Sequence, residues 1–88
     1  MKLNGEFILR EVVGEYVLVP VGETALKFNG IVSLNEVGAE IWKGLQQGED
    51  REALLRRVLD AFEVGREEAE QDLSEFLGGL EENGFLSE

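Results

Sequence analysis

The chain has 88 residues, the size of one domain over 1–88, and a chain this short buries only roughly 60–65% of its unfolded surface, so its core is thin. Hydrophobic content of 43% argues against intrinsic disorder, while 8 basic against 19 acidic residues give a formal net charge of −11, which disfavours nucleic acid and anionic membrane and favours a basic peptide or protein surface. Cysteine and histidine are both absent, which removes disulfides, thiolate nucleophiles, the usual zinc ligands and the commonest general base.

Glu6 to Val13, EFILREVV, is rich in β-formers, and Tyr16 to Val19 continues the pattern after Gly14-Glu15. Two apolar runs around a glycine-containing pair predict a β-hairpin. Pro20 stops the second strand because it has no N–H for the ladder. Val21 to Asn29 reads as a connection, with Gly22 and Asn29-Gly30 as turn signals and Leu26 and Phe28 tucked inward. Ile31 to Ser33 makes a short third strand. Ser33 followed by Glu36 then fits a capping box, with Val32 and Val37 at the staple positions.

The first helix places Leu34, Val37, Ile41 and Leu45 on one face, with Trp42 at its edge. Gly48 ends it and Asp50 caps the second helix, where Leu54, Leu55, Val58, Leu59 and Phe62 face inward and Arg51, Arg56, Arg57 and Asp60 outward. Val64 plugs a tight link and Gly65 caps the third helix, expected from about Arg66 to Asn83. Ala69, Leu73, Phe76, Leu77 and Leu80 form its apolar stripe, and Glu67, Glu68 and Glu70 suit its positive end. Gly78-Gly79 lies off that stripe, and Asn83-Gly84-Phe85 predicts a Schellman stop. The order predicts an α+β domain, a three-stranded antiparallel sheet followed by three helices packed on one of its faces. No run approaches a signal peptide or a membrane span, so a cytoplasmic protein is expected.

Catalytic equipment is sparse. The hydroxyls of Thr24, Tyr16, Ser33, Ser74 and Ser87 have no histidine to activate them. The pairs Glu68/Asp72 and Glu67/Gln71 read as a solvated helix face. No phosphate loop, dinucleotide fingerprint or EF-hand is present. The second and third helices, joined through Glu63-Val64-Gly65, have a winged helix-turn-helix arrangement. The third carries Arg66 as its only basic side chain among many acids and would repel phosphates. What remains is a short third strand at a sheet edge, a template for an added peptide strand or for a second copy of the chain. Neighbouring amides on a strand point to opposite edges, so Ile31 and Val32 cannot both face outward.

SLNEVGAEIWKGL, the strands before it, and the tail from Phe62 through EEAEQDLSEFLGGLEENGFL resemble the PqqD-like family, the RiPP recognition elements. Leu34-Asn35-Glu36, Gly38, Ile41-Trp42 and Gly84-Phe85-Leu86 carry the resemblance, which spans nearly the whole chain; Gly78-Gly79 replaces charged residues expected there. The resemblance implies no enzyme and no cofactor. It implies binding the leader of a ribosomally made precursor peptide and presenting it to a modifying enzyme, often a radical-SAM enzyme, as in pyrroloquinoline quinone biosynthesis. The implied peptide strand adds along Gly30, Ile31, Val32 and Ser33, with Phe28 before it, and rests against Ala69, Leu73 and Phe76. A self-associating domain, or homodimer, is the alternative, and a DNA-binding winged helix ranks third.

Overall fold

The computed structural model describes residues 1–28 and 30–87. The elements run β1 (Lys2–Leu3), β2 (Phe7–Val12), β3 (Glu15–Pro20), α1 (Glu23–Lys27), β4 (Val32–Leu34), α2 (Glu36–Gln46), α3 (Arg51–Ala61), α4 (Arg66–Glu82) and β5 (Leu86–Ser87). β2, β3 and β4 form an antiparallel sheet with β3 in the middle. The register sets Leu9 opposite Leu18 and Leu18 opposite Val32, a row facing the helices. Leu18, Ile41, Trp42, Leu54, Val58 and Leu73 are the largest fully buried side chains. The expected α+β class, with a three-stranded antiparallel sheet and the three long helices, is therefore the observed one.

Local chemistry explains most boundaries. The hairpin turns at Val13-Gly14, one residue earlier than expected, with φ of 50° and 79°. Both central residues are left-handed, as a type I′ turn requires. The Asp50 side chain accepts from the Ala53 amide at 2.9 Å, and Gly65 caps α4 without a side-chain bond. At the far end of α4, Phe85 N–H donates to Leu80 C=O at 2.9 Å and Gly84 N–H to Glu81 C=O at 3.0 Å. With Gly84 at φ 77°, this is the full Schellman motif.

Several expectations need correction. Ser33 does not cap a helix: it lies exposed inside β4, and Asn35 is the cap, accepting from the Gly38 amide at 2.7 Å. Leu34 continues the strand instead of opening the helix, so Val32 and Val37 no longer occupy the staple positions. Trp42 is not at the edge of the helix face but 1% exposed, its ring edge-on to Phe7 at 5.7 Å. Leu26 is not tucked inward; it sits on α1, 87% exposed. Arg57 does not simply face solvent, because it bonds Glu40 at 2.8 Å and Glu49 at 2.6 Å. Gly78 and Gly79 stay helical, with open space where a β carbon would stand. Of the Asn29-Gly30 turn signal, Asn29 lies outside the described residues. Two features come without an expectation: the helix α1 between β3 and β4, and the ribbon pairing Leu3 with Leu86 near the two ends of the chain.

Candidate peptide-binding edge and groove

The direction of each β4 amide follows from the sheet. Val21 N–H donates to Glu6 C=O at 3.0 Å, so Val21 faces β2. In an antiparallel ladder this orientation alternates, and Val19 and Val17 therefore also face β2. Leu18 and Tyr16 face the other way, toward their register partners Val32 and Leu34. Ser33 N–H and C=O consequently point away from β3. Among the described residues β4 has no strand on that side. The same alternation carried back two residues turns the Ile31 amide outward.

Beside this edge lies a cavity of about 240 Å³ where β4 runs into α2. Asn35, Val37, Gly38 and Ile41 form one wall, and Asp72, Glu75 and Phe76 of α4 the other. Gly38 allows α2 and α4 to approach: a β carbon there would stand 3.0 Å from the Phe76 ring. The helical spacing 72, 75, 76 sets two carboxylates beside one aromatic ring on a single side of α4. The cavity is thus apolar at its floor and anionic on its α4 rim. It suits a peptide side chain with an apolar stem, and any cation that follows it.

The residues proposed from the sequence divide into three groups. Gly30, Ile31 and Ser33 are exposed and Val32 is half-buried, and together they run along the open edge. Phe76 is half-buried and faces the cavity, whereas Ala69 and Leu73 are fully buried members of the core. Phe28 is turned elsewhere. It packs edge-on against Phe85 at 5.0 Å and lines a second cavity, of about 510 Å³, with Thr24, Lys27 and Asn83. Sequence reasoning missed Asn35, Val37, Gly38, Ile41, Asp72 and Glu75 as cavity walls. The signal for two of them was present: Asn35 and Gly38 stand at the spacing of a cap and the amide that donates to it.

On the far side of α2, Arg57 sits between two carboxylates. Hydrogen bonding to Arg57 holds the Glu49 carboxyl below its ordinary value, and the bonds to Glu49 and Glu40 push the Arg57 guanidinium up. This arrangement ties α3 to α2 and lies away from the edge. Among the described residues no helix is long and apolar enough to cross a membrane.

Comparison with known proteins agrees with the geometry. None of the curated proteins matches this chain. Among solved structures, "TbiB1 in Complex with the TbiA(beta) Leader Peptide" is similar with a TM-score of 0.75 and 25% sequence identity, over 99% of this chain and 95% of that one. The family described as Coenzyme PQQ synthesis protein D (PqqD) matches residues 15–86, which include all of β3, β4 and the three long helices, and the chain belongs to that family.

Proposed function

We propose that this chain is a non-catalytic adaptor of the cytoplasm. It binds the leader of a ribosomally made precursor peptide as an added strand and presents it to a modifying enzyme of the radical-SAM class. The observation that carries this reading is the outward Ser33 amide and carbonyl on the edge of β4 that, among the described residues, has no strand beside it, next to the Phe76 cavity. Main-chain pairing supplies affinity without regard to sequence, and alternate side chains supply choice. A strand laid along β4 sends every second side chain toward the helical layer, where the cavity opens. In this reading Gly30 to Ser33 form the docking edge and Phe76 the wall. Ala69 and Leu73 hold that wall from beneath, and Phe28, packed on Phe85, takes no part in it. TbiB1, in its complex with a leader peptide, supports the assignment by similarity.

Two proline variants test it. Ser33→Pro removes the outward donor and leaves the inward-facing amides of Val32 and Leu34 in place. It should stay folded by circular dichroism and lose the leader peptide in calorimetric titration. Val32→Pro removes a donor that pairs with β3 and should loosen the domain itself. A folded Ser33→Pro variant that binds the leader with native affinity would end the strand-addition mechanism and leave the helix groove to carry recognition.

A further inference from the structure

The helices cover one face of the β2–β3–β4 sheet. On the other face the register aligns Ile8 with Val19, Arg10 with Val17 and Ser33, and Val12 with Glu15. Ile31, just before β4, extends the Ile8–Val19 row. Ile8 is 44% exposed, Val12 53% and Ile31 60%, and none of these apolar residues, nor Val17 or Val19, belongs to the packed core. At the hairpin tip, Val13 is 97% exposed with φ 50°. A β-branched residue is strained in that left-handed region, where Asn or Gly is at ease. An apolar side chain held under strain in full contact with solvent, at the end of an uncovered apolar face, points to another molecule.

Charge selects the occupant. The face itself carries one cation, Arg10, and one anion, Glu15, and Glu11 belongs to the helix-side row with Leu9, so the sign that selects a partner is that of the whole chain. A second copy would set −11 against −11; an apolar surface rimmed by Lys and Arg meets the opposite sign. Position links the face to the peptide. A strand added at β4 contributes every second side chain to this same face, beside Ser33. We infer that the outer sheet face, from Val13 to Ile31, docks a protein with an apolar surface rimmed by basic residues, and that the bound peptide strand completes the docking surface. The second half rests on strand addition; the first does not. By linkage, peptide and protein partner then raise each other's affinity by one common factor.

The probe is the purified modifying enzyme encoded beside the precursor peptide, titrated against the full chain with and without the leader. Val13→Asn gives the turn a favoured residue while removing the valine, and Ile8→Thr keeps a strand former on β2. Both variants should fold and bind the leader as the wild type does. Each should bind the enzyme about tenfold more weakly, the effect of losing a well-packed apolar contact. The leader should raise wild-type affinity for the enzyme by about fivefold or more. Unchanged enzyme binding by both variants would overturn the docking face, and unchanged affinity with leader present would overturn the completed surface. Sedimentation that finds a wild-type dimer, made monomeric by Val13→Asn, would give the face to a second copy and overturn the partner assigned here. A wild-type chain that binds no leader would overturn strand addition and the completed surface together, while the enzyme titrations with the two variants still decide the face.

Discussion

Asn35 and Ser33 are two residues apart and have opposite roles. The Asn35 side chain satisfies the Gly38 amide at 2.7 Å, one of the orphan donors at the start of α2. Asn35→Ala should cost about 1 kcal/mol in denaturant unfolding. Ser33→Ala, at an exposed strand position, should stay within about 0.5 kcal/mol of wild type. The opposite ranking would return the cap to Ser33. The sequence holds both signals, S-x-x-E at 33–36 and N-x-x-G at 35–38. Local pattern alone does not rank them. What decides is the pairing of Leu34 with Tyr16 across the sheet, a contact 18 residues away in sequence that keeps the chain extended for one more step. Trp42 illustrates the same limit. Its helical phase puts it at the edge of the apolar face, and the sheet residue Phe7 then covers that edge.

Between elements, the clearest electrostatic link is Arg57 on α3, bonded to Glu40 on α2 and Glu49 in the connection. Gly44 belongs to this link: a β carbon there would stand 2.6 Å from Glu49 Oε1 and 2.8 Å from Arg57 Nε. Because folding lowers the Glu49 pKa below 4.5, the carboxylate form is favoured in the native state. The resulting stability is present in full above the unfolded value and is lost as pH falls through the lowered folded value. Glu49→Gln should therefore reduce stability at neutral pH and flatten its decline below about pH 4.5. Equal slopes for wild type and variant in acid denaturation would remove Glu49 from the link. The long helices were legible because apolar periodicity and caps are local. The β1–β5 ribbon was not, since two-residue strands joined across the chain leave no periodic signal. The helix α1 hid behind Gly22 and a five-residue length, too short to show a face. At the candidate site the edge strand and the apolar stripe of α4 were legible, but the cavity at Gly38, and Phe76 rather than Ala69 or Leu73 as its wall, depend on how α2 meets α4.

For the molecule as a whole, the charge of −11 and the acids of α4 set the sign of the field that an approaching partner meets. If the leader or the enzyme face is basic, added salt should slow association far more than it speeds dissociation. Stopped-flow kinetics indifferent to ionic strength would leave the acidity as a solubility feature. The central claim is that β4 is an open edge which a leader peptide closes. Hydrogen exchange resolved by residue, with and without the leader, tests it most directly. In the free chain the Val32 and Leu34 amides, paired with β3, should be protected and the Ser33 amide should exchange freely. With the leader bound, Ser33 should become protected while Val32 and Leu34 change little. A leader that binds in calorimetry yet leaves the Ser33 amide exchanging as in the free chain would contradict the account.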